Sequence, residues 1–172
     1  MLKLLGAALT LAMPALVGFR VAARYGRRPA ELRALQTGLA VLVTEVEYGL
    51  TPLPGALRSA GRAAGGPAGS ILLDGADRLE RGGGITPAEA LAAAIGAGAE
   101  TTCFTTGDLE VLRALAGVLG ASGRHDQVRH IRLALERLAG AEAEAGADRA
   151  RYEPVCRYAG VLSGLALLLI LY

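Results

Sequence analysis

The densest group of residues that could do chemistry lies at 124–130, where two histidines and an aspartate are interspersed with arginines. His125 could serve as the base for a Cys103 nucleophile, or it could pair with Asp126, as in hydrolases. His125 and His130 are five residues apart, whereas two histidines that bind one metal from a helix are four apart. No cysteine or carboxylate motif surrounds them. We interpret the segment as the capped, solvated start of a helix, which leaves a hydrolase as the least favoured class.

Neighbouring carboxylates are a second feature that could indicate acid–base catalysis. Glu45 and Glu47 are two residues apart, a spacing that points side chains in different directions on a helix. Asp74 and Asp77 are three apart, which is common on solvated helix faces. We therefore predict no catalytic residue.

The cysteines and the glycine run complete the search for a site. Cys103 and Cys156 are too few and too far apart for a zinc cluster, and we expect both to be small buried hydrophobic residues. Gly82-Gly83-Gly84 lacks the Lys and the Ser or Thr that follow a phosphate-binding loop, so it is a linker. The sequence predicts no metal site and no cofactor.

Composition favours an all-α protein. The 172 residues are 52% hydrophobic but only 4% aromatic, and periodic stretches have the helical repeat. The net charge is +2, and all 16 acidic residues lie between Glu31 and Glu153, whereas basic residues flank the apolar ends. Because the basic surplus lies at the apolar ends, and because there is no Trp and few other aromatic residues, the sequence argues against a nucleic-acid partner.

Both ends of the chain are apolar, which predicts two membrane anchors. The first runs from Leu4 to Phe19 and is followed by more positive charge than precedes it, so the positive-inside rule places the next residues in the cytoplasm. A cleaved signal peptide is the alternative, although its small-residue site is flanked by arginines. The second runs from Tyr158 to Tyr172 and has its arginines before it. We predict three regions: a transmembrane helix with its basic flank (1–28), a cytoplasmic helical bundle (29–153) and a transmembrane helix (154–172).

Helix signals divide the central region. From Pro29 to Gly49, apolar residues repeat at alternating spacings of three and four, a seam that we expect to pack within the chain rather than in a dimeric coiled coil. Further helices are predicted from a Thr51 cap through Leu57, closed by Gly61, Gly65 and Gly66, and from Pro67 to the glycine run. Two more run from a Thr86 capping box to about Gly98 and over Asp108–Leu119. The last begins near Asp126 with a stripe of Val128, Ile131, Leu135 and Leu138, followed by an Ala/Gly-rich segment that is either a solvated spacer or a lightly packed extension. This gives an antiparallel bundle of about five to six helices flanked by N- and C-terminal transmembrane helices.

Several stretches over nearly the full length resemble one family, the stage III sporulation protein AB family of endospore-forming bacteria. They are Met1-Leu2-Lys3-Leu4-Leu5-Gly6-Ala7, Arg27-Arg28-Pro29 with Leu32 and Leu35, Glu45-Val46-Glu47-Tyr48-Gly49, Thr51-Pro52-Leu53-Pro54-Gly55-Ala56-Leu57, Asp108-Leu109-Glu110-Val111-Leu112, the turn from Leu119-Gly120 to Asp126-Gln127, and the apolar tail. None of these is a chemical motif.

The resemblance implies a fold and a role. The family is similar to the cytoplasmic helical domain of inner-membrane platform proteins in type II secretion and type IV pilus systems. It implies a non-enzymatic protein in the mother-cell membrane facing the forespore, with a secretion-type ATPase, ring-forming channel proteins and the lipid bilayer as partners. The side of the last helix with Arg129, Arg132 and Arg137 is a provisional docking face. The alternative is a scaffold protein that self-associates through the apolar seam from Leu32 to Val46, which would make a second copy of the chain a partner.

Overall fold

A computed structural model gives six helices and no strand in the part of the chain that it describes: the backbone of residues 2–49 and 51–171, with the side chains of residues 23, 26–49, 51–152 and 162. The helices are α1 (Leu2–Tyr48), α2 (Leu53–Ala64), α3 (Gly66–Arg81), α4 (Pro87–Gly98), α5 (Thr106–Ala116) and α6 (Arg124–Leu171). The all-helical class is therefore confirmed. The chain divides into two compact units, Arg28–Ala143 on the one hand and Met1–Arg27 with Glu144–Tyr172 on the other.

The two predicted transmembrane segments, 4–19 and 158–172, lie almost entirely outside the residues whose side chains are described. Among the residues that are described, no helix has both the length and the apolar character needed to cross a bilayer. The transmembrane assignment and the three-region division remain predictions.

The first and last helices are longer than the sequence suggested. The predicted helix start at Pro29 is wrong, because α1 continues through this residue. Proline within a helix loses one backbone hydrogen bond, but Pro29 and Leu32 are both buried, and packing supplies most of the stability of helices in proteins. Helix α6 likewise continues through the Ala/Gly-rich segment, where Glu142 accepts hydrogen bonds from Gln36 (2.8 Å) and Arg33 (2.9 Å) of α1. That segment is thus a packed extension of the helix.

Helix α2 begins differently from the prediction. Its N-cap residue is Pro52, and no side chain caps it, so the expected Thr51 cap is wrong. The helix continues through Gly61 to Ala64, and its C-cap is Gly65, one of the three glycines predicted to close it. Gly61 lies against Gly69 of α3, and the absence of side chains at both positions lets the two backbones approach closely. Close packing with α3 therefore outweighs the low helix propensity of glycine.

Capping boxes begin α4 and α5. The Thr86 hydroxyl accepts from the Glu89 N–H (3.3 Å), while the Glu89 carboxylate accepts from the Thr86 N–H (2.9 Å), which confirms the predicted start of α4. Helix α5 starts earlier than predicted, since Thr105 is its N-cap and Asp108 is the reciprocal N3 residue. It also ends at Ala116 rather than Leu119.

The seam of α1 lies in the core of the Arg28–Ala143 unit. Its four leucines have no exposed surface; they are Leu32, Leu35, Leu39 and Leu42. Two of them, Leu39 and Leu42, border a void of only about 10 Å³ together with apolar side chains of α3, α4 and α5. Intramolecular packing of the seam is confirmed, and these leucines are not available to hold a coiled-coil dimer together.

Two glycine-to-alanine substitutions should have opposite effects on stability. A Cβ at Gly69 would collide with the Gly61 carbonyl oxygen, which as backbone cannot swing aside. We expect Gly69→Ala to destabilise the protein by about 1–3 kcal/mol through overpacking. At Gly96, on exposed α4 surface, a Cβ meets nothing within 4 Å, so Gly96→Ala should stabilise by about 0.5–1 kcal/mol. Urea unfolding of the purified full chain followed by circular dichroism measures both, and equal effects of the two changes would contradict the close approach of α2 and α3.

Candidate docking surface

The residues that could have formed a hydrolytic centre lie on different features of the structure. Cys103 is half-buried in the loop between α4 and α5, where its backbone N–H donates to Glu31 at 2.6 Å. His125 is exposed on the first turn of α6, and His130 is half-buried further along that helix. Both histidines line one open groove together with Glu47 of α1. Within the described residues, no three His, Cys, Asp or Glu side chains are grouped so that they could hold a metal ion.

Three of the four neighbouring carboxylates, Glu47, Asp74 and Asp77, pair with arginines. Glu47 pairs with Arg132 of α6 at 2.9 Å, and Asp74 pairs with Arg78 one helical turn away at 2.8 Å. Asp77 and Glu80 both accept from Arg58, which links α2 to α3, and these hydrogen bonds raise the pKa of Arg58 above its usual value. The contacts described for these carboxylates are thus ion pairs on or near the surface, an arrangement that stabilises helix packing only modestly.

A polar cluster connects α1 to the start of α5, and sequence reasoning missed it. Arg28 donates to both carboxylate oxygens of Asp108, from Nε at 3.0 Å and from Nη2 at 3.1 Å, and its Nη2 also lies 3.4 Å from the Thr105 hydroxyl. Asp108 is only 3% exposed and Arg28 only 19%. The sequence predicts Arg28 as part of the basic flank at residues 1–28, whereas the structure pairs it with Asp108. The Thr105-to-Asp108 spacing of a capping box is the sequence signal that indicates a fixed carboxylate at this position.

Opposing effects set the charge state of Asp108. Burial disfavours the carboxylate and by itself raises the pKa of Asp108. Hydrogen bonds from Arg28 and from the Thr105 backbone and hydroxyl together outweigh burial, so the pKa of Asp108 lies below its usual value. The carboxylate is charged at neutral pH, and the cluster fixes α1 against α5 as a bidentate ion pair.

Two open grooves run along α6, one on either side of Leu133. The larger, of about 540 Å³, lies between α6 and the end of α1, and the smaller, of about 200 Å³, lies between α6 and α5. His130 and Leu133 line both grooves. Leu133 is 42% exposed although it is a large apolar residue, so it forms an apolar ridge between two depressions. Such a surface is suited to contact with another protein.

The predicted apolar stripe of α6 is largely confirmed. Val128, Ile131 and Leu138 are buried as expected, but the fourth buried position is Ala134, and Leu135 is only half-buried. The three arginines of the provisional docking face, Arg129, Arg132 and Arg137, are exposed. Sequence reasoning overlooked Leu133. Its spacing from the stripe shows that it faces outward, but the sequence does not show that a groove lies on each side of it.

Comparison with known proteins gives the chain its family. The family model for stage III sporulation protein AB matches residues 3–172. The chain belongs to the stage III sporulation protein AB family. Stage III sporulation protein AB of Bacillus subtilis (strain 168) is 32% identical over 171 residues, which cover 99% of each chain. A solved structure of a stage III sporulation protein AB superimposes with a TM-score of 0.65 and 29% identity, covering 71% of this chain and 95% of that one.

Family membership confirms the resemblance predicted from the sequence. The relatives carry the name of a sporulation protein, and that name describes no enzyme. The match to the family model spans both apolar ends as well as the bundle. The grooves beside Leu133 and the Arg28–Asp108 cluster therefore belong to a member of a sporulation protein family.

Proposed function

We propose that this family member is a non-enzymatic, membrane-anchored platform or adaptor subunit of a sporulation-specific, secretion-like complex that spans the envelope. In this role it docks a cytoplasmic ATPase and contacts channel components in the membrane. The observation that carries the proposal is the family match over residues 3–172, because it includes the two apolar ends together with the helical bundle. A protein with one folded unit between two anchors is suited to holding partners at a membrane.

The proposed location follows from the distribution of charge. The two apolar segments insert into the bilayer in this proposal. Arginines follow the first segment and precede the second, so the positive-inside rule then puts the bundle in the cytoplasm. In a sporulating cell, this membrane is the mother-cell membrane that faces the forespore. The ATPase would then approach the bundle from the mother-cell cytoplasm.

The bundle supports an adaptor role through its surface. Its helices pack around a core of fully buried leucines, and ion pairs such as Arg28 with Asp108 and Arg33 with Glu142 join distant parts of the chain. A unit that is already folded loses little conformational entropy when it binds a partner. The open grooves beside Leu133 offer such a unit a place to bind.

Recovery of the ATPase with the protein tests the proposal. A tagged full chain is expressed in sporulating cells, solubilised in detergent and purified, and the secretion-type ATPase of the same complex is quantified by immunoblot. We expect enrichment well above that obtained with an unrelated tagged membrane protein that has two anchors. Recovery at the level of this control, with and without prior chemical cross-linking, would contradict the adaptor role.

A further inference from the structure

Leu133 occupies the outward side of a helix whose inward side is already filled. Val128, Ile131 and Leu138 face the core, whereas Leu133 is 42% exposed. Arg129 precedes it by four residues and Arg137 follows it by four, so the three side chains form one line along the exposed face of α6. The apolar ridge is thus flanked by a positive charge at each end.

The two grooves beside this ridge differ in character. On the α5 side, Val111 and Val118 are half-buried and line the smaller groove together with Ala114 and Leu115, so its floor is apolar. On the α1 side, the larger groove is lined mostly by charged side chains and histidines, with Val128 buried beneath them. We call Leu133, Arg129, Arg137, His130, Val111 and Val118 the Leu133 surface. Side chains that project from a partner helix can enter the grooves on both sides of such a ridge, which is how helices pack on one another.

The charges of the Leu133 surface favour one sign of partner. The grooves are lined by three arginines, Arg129, Arg132 and Arg137, but by only two carboxylates, Glu47 and Glu136. Glu47 is already paired with Arg132, and Arg129 has a weak exposed contact of 3.3 Å with Asp126. Arg137 takes part in none of the ion pairs found among the described side chains. A carboxylate on a partner could therefore engage Arg137 without displacing an existing pair.

We propose that the Leu133 surface is the site that docks the ATPase, and that it binds an acidic amphipathic helix of that partner. Apolar side chains of the helix pack against Leu133 and fill the smaller groove, and its carboxylates lie against Arg137 and Arg129. The identity of the partner rests on the proposed function, whereas the chemistry of the helix rests on the surface itself. Binding of a helix in an apolar groove with complementary charges at its rim is a common mode of recognition.

A designed peptide tests the chemistry independently of the ATPase. The probe is a fluorescein-labelled helix of about five turns with leucines on one face and glutamates on the other. Its binding to the full chain in detergent is measured by fluorescence anisotropy. We expect Leu133→Glu and Arg137→Glu each to weaken binding about 30-fold or more, as for central interface residues. Arg62→Glu, an exposed arginine of α2, is the matched control and should leave binding unchanged.

Three results would overturn the proposal. The first is binding of the acidic peptide no tighter than that of a peptide with lysines in place of the glutamates. The second is an equal loss with Arg62→Glu and Arg137→Glu. The third is self-association of the wild-type chain that Leu133→Glu abolishes in sedimentation, because a second copy would then occupy the surface. Circular dichroism of each variant establishes that its helix content is unchanged.

The same variants, mixed with purified ATPase, separate this proposal from the proposed function. If the ATPase binds the wild-type chain, Leu133→Glu and Arg137→Glu equally well, the adaptor role stands and the Leu133 surface is not the docking site. If the peptide binds as expected and the ATPase does not bind at all, the acidic-helix site stands, and both its assignment to the ATPase and the adaptor role fail. Loss of both ligands with Leu133→Glu and with Arg137→Glu, but not with Arg62→Glu, is the expected result.

Discussion

Replacing Leu39 by alanine should lower the free energy of unfolding by about 3–5 kcal/mol. Leu39 has no exposed surface and packs among leucines and isoleucines of α1, α3 and α4. The existing void there is only about 10 Å³, so the neighbours are already in contact, and removing most of the side chain leaves a new cavity. The loss therefore combines the transfer free energy of the deleted groups with a cavity term.

Leu133→Ala provides the matched control for Leu39→Ala. The chemical change is identical, but Leu133 is 42% exposed and its removal opens no buried cavity. We expect a loss of at most about 1 kcal/mol. Urea unfolding of the full chain followed by far-UV circular dichroism gives both values. Similar losses for the two variants would contradict burial of the seam within one chain. An unfolding midpoint of Leu39→Ala that rises with protein concentration would contradict it too, because such a rise indicates an oligomer that stabilises the fold.

Those parts of the fold that local patterns determine could be predicted from the sequence. The α1 seam, the Thr86 capping box and the glycine run after α3 each show their structure within a few residues of sequence. Gly82, Gly83 and Gly84 have φ angles of 73°, 92° and 76°, which glycine adopts without strain. Short-range stereochemistry is sufficient for such features, because it does not depend on what packs against them.

Helix boundaries were wrong where tertiary contacts overrule local preference. Pro29 and Gly61 would each favour a helix end in an isolated peptide, yet α1 and α2 continue through them because both residues are packed against the rest of the bundle. The Arg28–Asp108 pair joins residues 80 positions apart. No periodicity or spacing in one sequence indicates such a partner, so the neighbours of Arg28 in the sequence predict only a basic flank.

The candidate surface could be predicted only in part. The exposed arginines of α6 follow from the helical period, because they lie opposite the buried stripe. The grooves depend on how α1 and α5 are placed beside α6, which the sequence of α6 does not contain. Leu133 gains its significance from that placement. The same is true of Arg132, whose charge is partly neutralised by Glu47 from a distant part of the chain.

Replacing Asp108 by alanine should lower the free energy of unfolding at neutral pH by about 3 kcal/mol. The substitution removes the acceptor for two hydrogen bonds from Arg28 and for the Thr105 N–H of the α5 capping box. Arg28 is mostly buried and would lose the negative charge of Asp108 beside it. Asp108→Asn should have an intermediate effect, because the amide oxygen still accepts from Thr105 while the charge is lost.

The loss should depend on pH in a defined direction. The pKa of Asp108 is lowered on folding, so its carboxylate contributes fully to stability above its ordinary unfolded value of about 4. This contribution is lost as the pH falls through the lower folded value, where the wild-type carboxyl also becomes neutral. The difference in stability between wild type and Asp108→Asn, measured by urea unfolding at neutral pH and again well below pH 4, should therefore shrink in acid.

Glu80→Ala is the control, since Glu80 is an exposed carboxylate paired with Arg58 and its loss should cost much less at neutral pH. A neutral-pH loss for Asp108→Ala no larger than that for Glu80→Ala, or a wild-type to Asp108→Asn difference that persists in acid, would show that the buried ion pair does not fix α1 to α5.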